Sequence, residues 1–481
     1  MLSRNSKYAG MDAVFTMGSL FIVYRMVNTH AGVGSLGEWS LASALATLCG
    51  FAGLGVTDAM VRQVPQRRRD LNGAGLAGLV LVCLCCTVVL VGLACLIMAP
   101  LIREAVRALL GPPAPGMVEG AVLVAFVNVL ASGALGILEG FERYGRRLVA
   151  GMLASTAAVL AALLILPAHG AAGLPVVLVT RAVVLVVAAG AFVGVSVGRA
   201  GFGRSSDIIG DLRQLVSLGL PLRITGLADL AFDPLTRVFL AKFGGAQAIG
   251  IYEIAARITI QIRGVAVGAA QVIVPRLVML AGTPEVGAKL LREMVGVLSL
   301  IAATTFTLLI LVLPIISLVL LRRIDDMFMV FGALLSLAWC TNVLAAPAYF
   351  SNVADARPGR NVVSQLTIAV LNLALGLWLG SHFGATGVVL GTALSLAGGS
   401  IVTILAARAP RPLVSVAMDP GLWLSGLVAL ALCWSCLFAF SDEIVRAATS
   451  VALAGVFAAI AWFRGVPFVK QGLKRVANSH E

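Results

Sequence analysis

Apolar residues in this chain fall into long blocks, and the polar residues crowd into short gaps between them. Cut at charges and at Gly/Pro clusters, the pattern predicts fourteen helices. They run at 8–27, 38–58, 73–97, 117–138, 148–167, 171–196, 215–240, 248–273, 294–320, 327–350, 361–380, 385–407, 421–440 and 446–463. Each is near the roughly 20 residues that a helix needs to cross a bilayer. Counted at about 20 residues per span, what remains averages about fourteen per connection or tail, too few for a soluble domain. The fold class expected is all-α and integral to the membrane.

Composition strengthens that expectation. Hydrophobic residues make up 60% of the 481 positions and charged residues 12%, with a mean hydropathy of +1.01. Soluble domains carry roughly 25% charge, and a water-soluble surface cannot be coated with so little. Soluble enzymes, nucleic-acid binders and disordered scaffolds are thereby excluded. The net charge of +13 does not point to nucleic acid, because loops on the cytoplasmic side of membrane proteins collect Lys and Arg. With the N-terminus inside, 23 of the 35 Lys and Arg fall in cytoplasmic segments and 7 on the opposite side. The expected location is the cytoplasmic (inner) membrane, multi-pass, with both termini cytoplasmic. The first apolar stretch carries Asp12 and Arg25 and leads directly into a second, so it is not read as a cleavable signal. The eight cysteines all lie inside apolar stretches. Cys83, Cys85 and Cys86 have no His or carboxylate nearby, and packing rather than metal binding is expected of them.

A repeat is visible at an offset of 213 or 214 positions. It places Gly37 on Gly250, Gly55 on Gly268, Asn128 on Asn342, and Arg143, Gly145 and Arg146 on Arg357, Gly359 and Arg360. The Gly-Ala-x-Gly turn at 170–173 falls on 384–387, which sets Gly173 on Gly387. The expected organisation is two tandem six-helix bundles, residues 1–207 and 208–411, followed by two extra helices and a tail over 412–481. An even number of spans per half gives a parallel pseudo-twofold repeat about the membrane normal, the arrangement of proteins that rock around a central site.

Residues 219–276 contain Gly219-Leu220-Pro221, Asp233 late in its helix, the run GAQAIGIYEIAAR and a closing Val274-Pro275-Arg276. This stretch resembles the polysaccharide transporter family of Wzx-type O-antigen flippases. The family belongs to the superfamily of multidrug/toxin extruders and lipid II flippases. Residues 33–64, VGSLGEWSLASALATLCGFAGLGVTDAMVRQV, look like the matching first-half motif. The chain departs from the family pattern at Pro234 and at Arg237-Val238, where a plainer apolar run is expected. The resemblance implies a central cavity lined mainly by spans one, two, seven and eight, with lipid-linked oligosaccharide moving from the inner to the outer leaflet. No cofactor is expected, the drive is open among H⁺ or Na⁺ as a coupling ion and the membrane potential, and membrane lipid, a glycan polymerase and export machinery are the expected partners.

Charges inside the spans are the candidate site. A charged residue at mid-membrane costs at least about 2.5–3.5 kcal/mol, so each needs a reason. Span seven carries Asp229, Asp233 and Arg237, and span eight carries Glu253, Arg257 and Gln261, spaced so that each set shares one face. Arg263 lies about 120° around from the second stripe; Arg181 is near the middle of span six, and Arg25 is close to the outer end of span one. Two readings stand. In one, Asp233–Arg237 and Glu253–Arg257 are i,i+4 pairs that only hold helices together, and Arg25 and Arg237 snorkel toward the surface. In the other, the arginines line a cationic cavity for a polyprenyl-diphosphate head group, which guanidinium binds bidentately. Asn128 and Asn342 are expected to bond between helices.

A multidrug/toxin extruder of the same architecture is the first alternative. It needs an acidic pocket, whereas the interior census (Arg181, Arg223, Arg237, Arg257 and Arg263 against Asp229, Asp233 and Glu253) leans positive. A membrane glycosyltransferase or polymerase is the second. The longest outer connection expected, 98–116, offers only Arg103, Glu104 and Arg107, and none of His30, His169, His382 and His480 sits in a catalytic constellation. Reporter fusions test the topology: those after Arg69 and after Glu481 should report cytoplasm, and those near Arg107 or Gly245 the outside. An outside signal at the C-terminus would mean an odd span count.

Overall fold

The computed structural model describes residues 2–53, 76–141, 143–198, 227–271, 284–354, 359–407 and 442–459, together with positions 64, 210, 213, 428, 431 and 435. The expected span 421–440 and most of 54–75 and 199–226 lie outside the described residues. Almost every described residue is helical. The helices are α1 (Leu2–His30), α2 (Val33–Thr47), α3 (Leu76–Leu110), α4 (Met117–Gly140), α5 (Tyr144–His169), α6 (Leu174–Gly198), α7 (Leu227–Gln271), α8 (Pro284–Leu321), α9 (Asp326–Ala354), α10 (Gly359–Leu405) and α11 (443–459). Short 3₁₀ turns over Leu48–Gly53 and Gly170–Gly173 follow α2 and α5.

Six helical stretches among the described residues are long and apolar enough to cross a membrane. Two of them, 144–197 and 359–405, have more than twice the roughly 20 residues of one crossing. Each is folded back by a glycine with positive φ, Gly170 (53°) in the first and Gly384 (61°) in the second. α7 breaks in the same manner at Gly245 (φ 72°), and Gly32 (φ 82°) separates α1 from α2. A residue with a Cβ rarely adopts this backbone, so glycine marks each reversal.

The chain divides into two compact units, Met1–Gly250 and Ile251–Glu481. In the first unit α1 packs on α5, α5 and α4 on α6, and α2 and α3 on α4. Small residues permit the close approaches, as expected where helices associate without a hydrophobic drive from water. Gly120 of α4 lies against Pro175 and Trp39, and Gly92 of α3 faces Phe126 of α4. In the second unit α9 packs on both α8 and α10. The two arms of α10 are joined by hydroxyl and amide bonds: Ser364 Oγ donates to the Gly399 carbonyl at 2.6 Å and lies 2.6 Å from Thr403 Oγ1, and Thr392 Oγ1 donates to Asn372 Oδ1 at 3.1 Å. Asn352 donates to Asn361 at 2.9 Å and so ties α9 to α10.

α3 differs from its expected extent. The pattern ends it at 97 and leaves 98–116 as an outer connection. The helix instead continues through Pro100 to Leu110, leaving only residues 111–116 between helices. Proline removes one backbone donor, but the following Leu-Ile-Arg-Glu-Ala-Val-Arg-Ala-Leu-Leu is built of good helix formers. Ile102 and Val106 are buried on one face, while Arg103, Glu104 and Arg107 are exposed and Arg103 pairs with Glu119 of α4. α2 also stops early, at Thr47 rather than 58, where the chain tightens into the 3₁₀ turn.

Several local geometries recur at the repeat offset. Gly32 and Gly245 have similar positive φ, as do Gly170 and Gly384. Gly173 abuts Ile165 and His169, and Gly387 abuts Leu379 and Phe383, each 214 positions on. Arg146 Nη1 donates to the Phe192 carbonyl at 3.4 Å, and Arg360 Nη1 to the Ala406 carbonyl at 2.8 Å, again 214 positions on. Most telling is a reciprocal contact. A Cβ at Gly37 would collide with the Ala246 carbonyl, and a Cβ at Gly250 with the Val33 carbonyl. Val33 falls on Ala246 at the offset that sets Gly37 on Gly250, so the contact is self-complementary in the sense of a twofold interface.

This contact predicts unequal tolerance within one helix. Gly34, three residues away on α2, has open space where a Cβ would go. Gly34→Ala should leave thermal unfolding in detergent unchanged or slightly raised. Gly37→Ala and Gly250→Ala should each destabilise by about 1–3 kcal/mol, the usual cost of forcing atoms into a packed contact. Equal melting temperatures for Gly34→Ala and Gly37→Ala would remove the close approach.

Candidate functional site

The intramembrane charges resolve into three groups. The first joins α7 to α2. Arg237 is 4% exposed; its Nη1 lies 2.5 Å from Asp233 Oδ2 and its Nε donates to Ser40 Oγ of α2 at 2.6 Å. Pro234 one turn earlier and the i,i+4 spacing set Asp233 and Arg237 on one face of α7. The Arg237 cation is therefore packed inside, and Asp233, 49% exposed, is the more accessible partner. Asp229 lies two positions into α7, and its side chain is outside the described residues, as are Gly226 and Arg223.

The second group is the stripe on the later part of α7. Arg257 Nε donates to Glu253 Oε1 at 2.6 Å, with the Glu253 side chain 7% exposed and that of Arg257 50% exposed. This pair inverts the burial of the first, since here the carboxylate is inside. Gln261 is half-buried and Gly264 exposed further along the same face. Arg263 points to other helices: its Nε donates to Asn342 Oδ1 of α9 at 2.7 Å, and its guanidinium carbon lies 4.9 Å from the ring centroid of Trp339. Asn342 Nδ2 in turn donates to Ser400 Oγ of α10 at 3.3 Å. Asn342 is thus an interhelical bond, as its residue type and place suggest. Trp339 is the group that sequence reasoning missed. It lies three residues before Asn342 and so shares its helix face, which is the signal that could have found it.

The third group was not legible from spacing. Arg181 of α6 and Arg147 of α5 both act electrostatically on the carboxylate of Asp12 on α1. That carboxylate rests on the α5 backbone, with Asp12 Oδ1 2.8 Å from where a Cβ of Gly151 would stand. Arg147 also pairs with Glu139 at the end of α4. Arg181 and Arg147 thus both lie within electrostatic reach of a carboxylate on the first helix. Arg25, near the end of α1, is exposed.

The arrangement offers fixed, satisfied cations beside aromatic and amide groups, and no metal-binding cluster of His, Cys, Asp or Glu is present among the described residues. Oriented guanidinium groups of this kind are suited to binding an anion.

Comparison with known proteins agrees with the architecture. The lipid II flippase MurJ in an inward closed conformation superposes with a TM-score of 0.69 at 12% identity, covering 95% of this chain and 99% of that one. A multidrug resistance MATE family transporter of the MOP superfamily, in an inward-facing conformation, gives 0.62 at 15% identity, over 86% and 95% of the two chains. A MOP superfamily transporter from Pyrococcus furiosus, described as having a binding pocket of reverse polarity, gives 0.59 at 15% identity over 86% and 95%. At these identities the likeness is one of fold. No curated protein sequence matches this one. Residues 13–281, more than half of the chain, match the family of polysaccharide biosynthesis proteins. This many-helix membrane protein belongs to the polysaccharide biosynthesis protein family.

Proposed function

We propose that the chain is a transporter that moves a polyprenyl-diphosphate-linked oligosaccharide across the cytoplasmic membrane for surface polysaccharide synthesis. Family membership over residues 13–281, on a fold shared with a lipid II flippase, is the observation that carries this reading. In this proposal fourteen spans form two six-helix halves and an appended pair, both termini are cytoplasmic, and the halves alternate access to the two leaflets. The recurrent geometries at offsets of 213 and 214 support that layout. In it, the Gly37–Gly250 contact joins the second and eighth spans where they leave the outer surface.

Arg263 is the residue that best fits substrate recognition. Its guanidinium plane is oriented by Asn342 and by the Trp339 ring. A guanidinium held this way presents its fork to phosphate without losing much side-chain freedom on binding. An indole beside it suits the apolar face of a sugar ring. Arg25, Arg181, Arg257, Asp229, Asp233, Arg237, Glu253 and Gln261 complete the proposed cavity, with the paired members setting its shape. A cation antiporter is the competing reading. It is disfavoured because Asp233 and Glu253 each hold an arginine four residues on, and Asp12 is acted on electrostatically by Arg147 and Arg181.

Export of glycan repeat units and membrane abundance, measured together, test the proposal. Arg263→Ala should reduce export by about tenfold or more, the loss of a charge-assisted phosphate contact, at unchanged abundance. Arg263→Lys should restore only part, because a point charge replaces the fork. Arg257→Ala should instead lower abundance by stranding the buried Glu253 carboxylate, and Glu253→Gln in the same chain should restore it. Normal export from Arg263→Ala would remove the cationic recognition mechanism.

A further inference from the structure

A groove of about 350 Å³ lies between α3, α4 and α6, all within the first unit. Its walls are Leu84 and Thr87 of α3, Ile137 of α4, and Gly190, Val193 and Gly194 of α6, among other apolar groups. Thr87 is the only hydroxyl in the lining. α3 presents Leu81, Leu84 and Val88 outward beside it, so the groove opens on a face that meets hydrocarbon.

The two glycines make it unusual. Small residues four apart in a membrane helix ordinarily let a neighbouring helix come close. Gly190 and Gly194 have that spacing, yet among the described residues nothing lies within 4 Å of where either Cβ would stand. Their small size is used to keep space open. The space is lined by apolar groups and opens beside the exposed leucines of α3. A thin, flexible hydrocarbon chain fits it, and the bilayer supplies one.

At one end of the groove an arginine is bonded beside the lining. Ile137 and Val193 line the groove and share a buried cluster with Phe141, and Arg143 follows two residues later as an exposed side chain at the start of α5. Arg146 is fixed beside it, donating to Ser196 Oγ at 2.7 Å next to the lining residues Val193 and Val197. The first turn of α5 adds its own amide groups, which favour an anion at a helix start. Glu139 is already engaged by Arg147, and Glu142 lies outside the described residues.

We propose that this groove binds one acyl chain of an anionic phospholipid from the surrounding bilayer, with the phosphate at Arg143 and Arg146. The lipid fills the gap between α3 and α6 and couples the first unit to the charge of its leaflet. None of its lining residues is among the proposed glycan-recognition residues, and the site does not depend on which substrate is carried.

Native mass spectrometry of the purified full-length chain tests it. The probes are phosphatidylglycerol, phosphatidylcholine with the same acyl chains, and a polyprenyl phosphate. Phosphatidylglycerol should be retained in preference to phosphatidylcholine. Gly190→Leu and Gly194→Leu fill open space on a helix, so they should leave thermal unfolding unimpaired. Each buried methylene contributes a several-fold factor to lipid affinity, so either leucine should lower occupancy by about tenfold or more. Arg143→Gln should abolish the preference for phosphatidylglycerol while a chain is still retained. Unchanged retention in both leucine variants, equal retention of the two phospholipids, or occupancy by polyprenyl phosphate alone would each overturn the proposal. So would a dimer of the chain that the leucine variants disrupt.

Discussion

A charge carried into hydrocarbon has to be met by another group of the protein, because no water is there to solvate it. In this molecule that requirement fixes which helices stand together. Buried Arg237 holds Asp233 on its own helix and reaches Ser40 on α2. Asp12 on α1 lies on the α5 backbone under the field of Arg147 and Arg181. Arg263 reaches Asn342 on α9, which reaches Ser400 on α10. The bonds from Arg237 to Ser40 and from Arg263 to Asn342 join groups 197 and 79 positions apart, and Asn342 also holds Ser400. The charges therefore act twice, as proposed recognition groups and as ties between helices.

Glycine is the complementary device. Where two backbones touch, at Gly37 and Gly250, the absence of a side chain on both sides brings α2 against the start of the second arm of α7. Where the chain reverses within a long apolar run, Gly245 and Gly384 supply a backbone conformation that other residues avoid. Where neither applies, at Gly190 and Gly194, the missing side chains leave a groove. The same residue thus closes contacts, turns the chain and opens space, and its neighbours decide which.

Hydropathy made the helical character legible, because a bilayer demands uninterrupted apolar runs and this chain has little else. The pairs Asp233–Arg237 and Glu253–Arg257 were legible too, since i,i+4 spacing alone brings such groups together. Their burial was not: spacing cannot say that Arg237 is inside with Asp233 the more accessible partner, or that Glu253 and Arg257 are the reverse. Contacts set by tertiary packing were also invisible. Ser40 is 197 positions from Arg237, and nothing local marks Asp12 as the carboxylate near Arg181. The extent of α3 was misjudged because Pro100 and three charges resemble a loop, while the buried Ile102 and Val106 that continue the helix carry a weaker signal.

The account rests on the claim that a lipid-linked, anionic glycan crosses the bilayer through this chain. Liposomes containing the purified protein and a polyprenyl-diphosphate-linked oligosaccharide, exposed to a membrane-impermeant glycosidase, measure that crossing directly. The account predicts that digestion proceeds past the share initially in the outer leaflet until the substrate is exhausted, and that Arg263→Ala slows the later phase. Digestion that stops at the outer-leaflet share, as in liposomes without protein, would contradict it.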